Sequence, residues 1–266
     1  MLSTDYVPGA PNWLDLASRD IPASAAFYNA VFGWTFQSAG PEAGGYGMFV
    51  QDDGRTVAGI GPIMAEGVEP CWTPYFMTPD ADATGKAVEQ AGGTMPYPPM
   101  DVFTMGRMAV FTDPAGARFN VWQPGDNKGL DVVSADNALC WVELHTTDAA
   151  TAKAFYHQVF DWEYTDTPMP GMTYTLCRPA GTDATAEAEH GGLMELPPGA
   201  SGPGATVNWH PYFATADCDA TFATAVAHGA TAVMPPDDAP GVGRLAMLLD
   251  PAGAQFALLT GPSDAG

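Results

Sequence analysis

The chain contains a long internal repeat, and this repeat constrains its fold more than any other feature. Residues 13–36 align with residues 141–164 at an offset of 128, and nine of the 24 positions are identical. Two later blocks align at an offset of 137, with eight identities in 12 positions and nine in 14: 72–83 with 209–220, and 106–119 with 243–256. Self-similarity of this length predicts two copies of one folding unit.

The repeat also predicts where the domains divide. We place a first domain at residues 1–125, a linker at 126–137 and a second domain at 138–266. The linker region is polar and rich in aspartate, as connecting segments usually are. The 266 residues, of which 46% are apolar, are enough for two packed cores of this size.

Each copy shows the same order of strands and helices twice. In the first copy, Trp13–Ala17 alternates like a half-buried strand, Asp20 can cap a helix and Gly33 can end it. Three short strands are predicted to follow: Trp34–Gln37, Gly47–Gln51 and Thr56–Ile63. The order then restarts with these elements: a strand at Trp72–Thr78, a helix from Asp80 or Asp82 to Gly92, and strands near Thr94, Arg107–Phe111 and Phe119–Trp122. We therefore predict an α+β fold of four βαβββ modules.

The charge of the chain limits its partners. Asp and Glu outnumber Lys and Arg by 31 to 9, which gives a formal net charge of −22. Such a chain repels phosphate backbones and anionic lipid surfaces, so we expect neither nucleic acid nor membrane as a partner. A cationic small molecule fits better, although surface carboxylates that only keep the protein in solution would give the same charge.

The cysteine spacing, the lack of long apolar runs and the glycine motifs exclude several other classes of protein. The four cysteines stand far apart without a Cys-x-x-Cys pair, which argues against a disulfide framework or a zinc knuckle. The sequence has neither a secretory leader nor an apolar run of about 18 residues, so we expect a cytoplasmic protein. No phosphate-binding glycine loop is present, and no cofactor is predicted.

Four tandem βαβββ modules with a Phe-Tyr pair in the first helix of each copy, Phe27-Tyr28 and Phe155-Tyr156, resemble the vicinal oxygen chelate superfamily of glyoxalases, bleomycin-resistance proteins and dioxygenases. The paired Trp-x-Asp/Glu-Leu, Pro-Tyr-Phe and Asp-Pro-Ala-Gly-Ala blocks are similar to two-domain actinobacterial glyoxalase-like proteins that carry the label hydroxylase. This resemblance implies that paired modules curl their mixed sheets around a ligand cavity.

The same resemblance implies where a metal would bind. It places ligands on the first strands at Trp13, Thr73, Trp141 and His210, and on the last strands at Asn120 and Ala257. Only His210 is a common metal ligand among these six residues, whereas a catalytic metal needs about three protein ligands. We therefore predict that the inherited metal site is lost. A rebuilt site from Glu143, His145 and His210 stays an open alternative.

Candidate catalytic residues lie on the first strand of each copy. Asp15 and Glu143 stand on the strand face opposite the leucines, which the resemblance directs into the cavity. His145 shares that face with Glu143, roughly 6.5 to 7 Å away between Cα atoms, so both can act on one substrate. A carboxylate beside a tryptophan in a cavity suits general acid or base catalysis. Alternatively, Asp15 and Glu143 form structural ion pairs or caps.

Further residues are candidates for substrate binding. His210 and Tyr212 share one strand face and could orient a substrate oxygen. Arg107 and Arg244 recur at matched positions and could bind a carboxylate, or form structural ion pairs. The remaining candidates for contact with the substrate are aromatic or amide side chains: Trp13, Trp141, Tyr75 and Asn120. The histidines at 157, 190 and 228 are interpreted as surface residues.

Together these features predict an enzyme of small-molecule metabolism, including secondary metabolism. Its expected chemistry is metal-independent proton transfer, as in isomerisation, cyclisation or lyase reactions, on an aromatic or carbonyl-bearing substrate. Two alternatives stay open: a protein that sequesters a drug or metabolite, and a metal-dependent dioxygenase or glyoxalase with other ligands. Four modules in one chain can pair internally, so we expect a monomer.

Overall fold

The computed structural model describes residues 2–64, 66–169, 171–182, 185, 188–200, 202 and 205–262. Over these residues the chain has the predicted α+β architecture of four βαβββ modules. Each module contributes one helix: α1 (Ile21–Phe32), α2 (Ala81–Gln90), α3 (Ala149–Phe160) and α4 (Cys218–Ala227). With ten or twelve residues each, none of the helices found here is long and apolar enough to cross a membrane.

The first two modules form a mixed sheet of eight strands. In chain order these are β1 (Pro11–Ser18), β2 (Thr35–Ser38), β3 (Gly47–Val50), β4 (Thr56–Pro62), β5 (Cys71–Met77), β6 (Met100–Val102), β7 (Gly106–Thr112) and β8 (Arg118–Pro124). Their spatial order is β2-β3-β4-β1-β5-β8-β7-β6. In each module the first strand runs parallel to the last, and the other neighbours are antiparallel.

The last two modules repeat this arrangement in a second sheet. Its strands are β9 (Leu139–Thr146), β10 (Glu163–Met169), β11 (Met172–Arg178), β12 (Gly191–Glu195), β13 (Asn208–Ala214), β14 (Thr231–Ala239), β15 (Gly243–Leu249) and β16 (Gln255–Thr260). The spatial order, β10-β11-β12-β9-β13-β16-β15-β14, is that of the first sheet. The curled mixed sheets that the family resemblance implies are therefore confirmed.

Every helix starts at an aspartate in the same position of its module. The side chain of Asp20 accepts a hydrogen bond from the backbone N–H of Ala23, and Asp80, Asp148 and Asp217 do the same three residues ahead. This satisfies one of the N–H groups that a helix start leaves unpaired. As predicted, α1 ends at Gly33, whose φ of 73° lies in the left-handed region that favours glycine.

One predicted strand is wrong. The segment near Thr94 forms only a single bridge to Thr112, and the edge strand of this module is β6. The intervening residues 95–99 include three prolines, and proline cannot donate a hydrogen bond to a strand ladder. The chain therefore joins the sheet only beyond this segment.

The density of contacts divides the chain into two compact units. The first comprises Met1–Trp13, Thr73–Gly129 and Trp141–His210, and the second comprises Leu14–Trp72, Leu130–Cys140 and Pro211–Gly266. Each unit thus combines a module of one sequence copy with a module of the other. The predicted domain boundaries at residues 125 and 137 follow the sequence copies and stay a prediction.

Both units have an aromatic core in which two helices pack together. In the first unit α2 packs against α3, and the core contains Phe76, Phe119, Tyr156, Trp162 and Trp209. In the second unit α1 packs against α4, and the core contains Tyr28, Trp34, Phe49, Trp72, Phe213 and Phe256. Trp34, Trp72, Trp162 and Trp209, which recur as matched pairs between the copies, are therefore core residues.

A buried chain of hydrogen bonds joins the two modules of each unit. In the first unit, Trp209 Nε1 donates to Tyr156 Oη at 2.9 Å, and Tyr156 Oη donates to Asp113 Oδ2 at 3.2 Å. The other oxygen of Asp113 accepts from the backbone N–H groups of Ala115 and Ala117. Burial raises the pKa of Asp113 above its usual range. This turn therefore closes its hairpin and also anchors the helix of the partner module.

The second unit contains the same chain. Trp72 Nε1 donates to Tyr28 Oη at 2.9 Å, and Tyr28 Oη donates to Asp250 Oδ2 at 3.0 Å. Oδ1 of Asp250 accepts from two backbone N–H groups of its own turn. Burial likewise raises the pKa of Asp250.

We expect Tyr156→Phe and Tyr28→Phe to destabilise the protein by roughly 1–3 kcal/mol each, because each leaves a buried carboxylate oxygen and an indole N–H without a partner. Urea unfolding followed by circular dichroism measures the change. Tyr97→Phe is the matched control, since Tyr97 is 58% exposed. Unchanged stability in both core variants would show that these hydrogen bonds do not hold the modules together.

Candidate functional site

The predicted catalytic pair is present as a direct contact. Glu143 and His145 lie on β9 with one residue between them, and His145 Nε2 is 2.9 Å from Glu143 Oε1. Their exposed fractions are only 6% and 1%. An ionised carboxylate only accepts hydrogen bonds, so the shared hydrogen belongs to His145 Nε2 when Glu143 is charged. The basic lone pair of the neutral imidazole is then on Nδ1.

Tyr174 and Trp141 extend this contact into a hydrogen-bonded chain. Tyr174 Oη donates to Glu143 Oε2 at 2.7 Å, and Trp141 Nε1 donates to Tyr174 Oη at 3.0 Å. Both aromatic side chains are half-buried, whereas Glu143 is buried. The two oxygens of Glu143 therefore have different partners, which holds the carboxylate in one orientation.

A glycine allows the tyrosine to lie over the sheet. Gly192 on β12 stands directly beside Glu143 in the parallel ladder. A Cβ atom at Gly192 would collide with the hydroxyl and ring carbons of Tyr174. Any larger residue at this position would thus displace the tyrosine from Glu143.

His210 completes the cluster. Its ring centroid is 4.4 Å from that of His145, and the side chain is 1% exposed. Burial and the neighbouring His145 lower the pKa of His210 to about 3, although Glu143 and a hydrogen bond to the Thr206 backbone act in the opposite direction. His210 is therefore neutral at physiological pH. We refer to Glu143, His145, Tyr174 and His210 as the second-copy cluster.

The first copy has the carboxylate and the tyrosine but lacks the histidines. Tyr46 Oη donates to Asp15 Oδ1 at 2.7 Å, and Gly59 stands beside Asp15 in the parallel ladder of β1 and β4. At the repeat offsets, Ala17 and Thr73 occupy the positions of His145 and His210. The predicted catalytic role of Asp15 consequently has no imidazole partner at these positions.

Arg107 and Arg244 have carboxylate partners within the protein. Arg107 bonds Asp82 at 2.9 Å and Asp101 at 2.8 Å, and Arg244 contacts Asp219 and Asp238 in the same pattern. Asp82 and Asp219 belong to α2 and α4, so both guanidinium groups lie on the helix-covered faces of their sheets. This placement favours the ion-pair interpretation over substrate binding.

The other predicted contact residues are buried on the strands. Tyr75 stands opposite Asn120 in the ladder of β5 and β8, and Tyr212 stands opposite Ala257 in the ladder of β13 and β16. Among the described residues Asn120 Oδ1 has no hydrogen-bond partner. Trp13 is 7% exposed, on β1. Their roles in substrate binding stay predictions.

One histidine was misplaced. His190, predicted on the surface, is 3% exposed and its ring contacts Trp162 edge-on at 4.8 Å. Burial lowers its pKa to about 3. Its position before a Gly-Gly pair suggested a junction between a loop and a strand, but its backbone N–H already bonds to the carbonyl oxygen of Cys177 on the inner strand β11. His157 and His228 are exposed as predicted.

Two contributors to the site were missed, Tyr46 and Tyr174. They are related by the same offset of 128 that relates Asp15 to Glu143. Their flanking sequences differ, so only a search for single residues preserved at this offset could have found them. Only the tertiary structure shows their contacts, because Tyr174 on β11 and Tyr46 directly before β3 reach carboxylates on other strands.

The residues present do not fit the metal site that the resemblance implies. Trp141 has its indole nitrogen in the hydrogen-bonded chain, and indole donates hydrogen bonds but does not ligate metals. In the ranges that the structure describes, no three His, Cys, Asp or Glu side chains are grouped so that they could hold an ion.

Comparison with known proteins identifies both halves of the chain. Residues 10–121 match the model of the Glyoxalase/Bleomycin resistance protein/Dioxygenase superfamily, and residues 141–259 match that of a glyoxalase-like domain. The anthracycline biosynthesis protein DauV of Streptomyces sp. (strain C5) is 41% identical, with 96% of this chain and 94% of DauV covered.

Solved structures show the same fold at low identity. The 2,2',3-trihydroxybiphenyl 1,2-dioxygenase of Sphingomonas wittichii superimposes with a TM-score of 0.64 at 14% identity, covering 96% of this chain and 91% of that one. The Mn(II)-bound glyoxalase of Novosphingobium aromaticivorans gives a TM-score of 0.63 at 16% identity, covering 96% and 83%. Identity this low supports a shared fold and no shared reaction.

We expect Gly192→Ala to destabilise the protein by roughly 1–3 kcal/mol, because the added methyl group overpacks the site against Tyr174. The same substitution should cost less in a Tyr174→Ala background, where the colliding ring is absent. Denaturant unfolding of the single and double variants measures this coupling. Gly261→Ala is the control, since a Cβ there meets nothing within 4 Å. Equal costs in both backgrounds would contradict the proposed collision.

The buried neutral histidines predict loss of stability in mild acid. The pKa of His190 falls from 6.5 in the unfolded chain to about 3 in the folded one. The contribution of His190 to the free energy of unfolding is therefore complete above pH 6.5 and is lost as the pH falls towards 3. Between pH 7 and pH 5 we expect this residue alone to remove about 2 kcal/mol. His190→Phe should flatten the dependence of unfolding free energy on pH by that amount. His228→Phe, at an exposed position, should leave the slope unchanged.

Proposed function

Because the chain belongs to the Glyoxalase/Bleomycin resistance protein/Dioxygenase superfamily, we propose that it is an enzyme of small-molecule metabolism that transfers protons with the Glu143–His145 pair. The superfamily by itself does not determine a reaction, since one scaffold carries several chemistries. The proposal therefore depends on the residues of the second-copy cluster.

The observation that carries the proposal is the buried contact between Glu143 and His145 at 2.9 Å. A carboxylate bonded to an imidazole N–H orients the ring and stabilises its protonated form. Low exposure strengthens both effects because water does not screen the charges. Burying a carboxylate and an imidazole costs solvation free energy that apolar side chains would not cost, so stability alone does not account for the pair.

Each member of the cluster has a distinct role in this proposal. His145 Nδ1 accepts a proton from a carbon next to a carbonyl group, and the electron pair moves to the carbonyl oxygen. Glu143 stabilises the imidazolium that forms, and His145 then returns the proton to another atom of the substrate. Tyr174 is a positioning residue, because its contact is with Glu143. This cycle serves isomerisation, cyclisation and lyase reactions.

The proposed substrate is an aromatic, carbonyl-bearing molecule. Trp141 and Tyr174 are half-buried aromatic side chains beside the buried pair. The similarity to DauV, an anthracycline biosynthesis protein, points to the same class, because anthracyclines are fused aromatic ketones and quinones. No metal step is included, since the residues at the family's ligand positions do not fit an ion.

Hydrogen–deuterium exchange on a carbon acid tests this proposal. We expect the protein to speed exchange at the carbons next to the carbonyl of 2-tetralone, followed by NMR in D2O. Glu143→Gln and His145→Gln should lower the enzymatic rate by about 10²-fold or more, the usual contribution of a general base. The exposed residues Glu42 and His228 provide matched controls, Glu42→Gln and His228→Gln, which should exchange like the wild type.

A specific observation favours one alternative, sequestration of a drug or metabolite. A net charge of −22 attracts a cationic compound. Binding of a cationic anthracycline that weakens steeply with salt, with no exchange and no change of the ligand, would select this function over catalysis. Exchange that is unaffected by Glu143→Gln and His145→Gln would also overturn the proposed role of the pair.

A further inference from the structure

His210 carries a buried nitrogen without a partner. Within the part of the chain that the structure describes, Nε2 of His210 has no hydrogen-bond partner and is closed to solvent. Leaving a buried polar atom unsatisfied costs roughly 1–3 kcal/mol, so such atoms are rare in folded proteins. A buried nitrogen without a partner therefore needs a structural or functional explanation. Here the atom belongs to a ring 4.4 Å from the proposed base, His145.

The other nitrogen of His210 determines what Nε2 can do. The hydrogen bond to the Thr206 backbone favours the charged form of the ring, so an imidazole N–H donates to that carbonyl group. Since Nε2 has no partner, the donor is Nδ1. A second hydrogen on Nε2 would be a buried donor without an acceptor among the described residues, which is costly, so the ring has its single hydrogen on Nδ1. Nε2 therefore has a lone pair and no hydrogen, and it can only accept.

The first copy supplies an internal comparison. Asp15, Tyr46 and Gly59 reproduce the carboxylate, tyrosine and glycine of the second copy. This arrangement of three residues therefore forms without a histidine. Thr73 stands at the position of His210 in the first copy. The unpartnered acceptor is consequently an addition to the second copy rather than a requirement of the fold.

We propose that His210 Nε2 accepts a hydrogen bond from a phenolic or enolic hydroxyl group of the substrate. The inference rests on the proposed function and narrows its substrate class to hydroxylated aromatic ketones and quinones. An acceptor without a hydrogen selects a neutral hydroxyl over a methyl ether, which has no hydrogen to donate, and over a phenolate, whose charge it cannot stabilise. His210 is thereby a specificity-determining residue beside the proton-transfer pair.

Selectivity between two probes tests the inference. We expect the wild type to bind 2-hydroxyanthraquinone about tenfold more tightly than 2-methoxyanthraquinone, at a pH where the hydroxyl group is neutral, which corresponds to about 1.4 kcal/mol. His210→Phe keeps a ring of similar shape and should bind both probes equally. His228→Phe, at an exposed position, should keep the wild-type preference. Because Nε2 is closed to solvent, association should also be slower than diffusion allows.

A second measurement does not depend on the folding of a variant. In wild-type protein labelled with ¹⁵N-histidine, the Nε2 resonance of His210 should report an unprotonated nitrogen, and it should move upfield with 2-hydroxyanthraquinone but not with the methyl ether. A protonated Nε2 in the free protein, or equal affinity of the wild type for both probes, would overturn this inference and leave the aromatic substrate class in place. If neither probe binds, the proposed substrate class fails, and this inference fails with it.

Discussion

The arrangement of the modules depends on one interaction, the buried hydrogen-bonded chain from tryptophan through tyrosine to aspartate. In each compact unit an indole N–H from the first strand of a module donates to the hydroxyl of a helix tyrosine, and that hydroxyl donates to the aspartate of a hairpin turn. The aspartate is already held by two backbone N–H groups of its own turn, so it is a rigid acceptor. Its desolvated charge is tolerated only while these donors are present. The chain thus makes the pairing of modules specific, because any other arrangement would leave three buried polar groups without partners.

The repeat separates residues that both copies share from residues that one copy has alone. Both copies place a carboxylate on the first strand, a tyrosine over it and a glycine beside it, which indicates that these three residues form a structural element of the sheet. Only the second copy adds two imidazole rings to that element. Ala17 stands in the first copy where the second copy has His145.

Much of the fold could be read from local pattern. Alternation predicted the first strands, aspartates predicted all the helix starts in the first copy, and Gly33 predicted a helix end, because these signals act over a few residues. The predicted strand near Thr94 is wrong because the prolines that follow it lack the backbone N–H donors that a strand ladder requires. The predicted surface position of His190 is wrong because neighbouring glycines are typical of loops, whereas the contact that buries its ring comes from Trp162, far away in the sequence.

The candidate site was predictable in part. Glu143 and His145 share one face of a single strand, so their contact follows from the period of two of a β-strand. Tyr174 and His210 reach the pair from other strands, and no local pattern encodes which strands become neighbours. The sequence by itself therefore determined the repeat, the four modules, the charge and the acid–histidine pair. Only the tertiary structure decided that Asp113 and Asp250 anchor helices of the other copy and that Arg107 and Arg244 are held by carboxylates. It also decided that Nε2 of His210 is buried with no hydrogen-bond partner among the described residues. These properties depend on contacts between residues far apart in the chain, which form only when the sheets and helices pack.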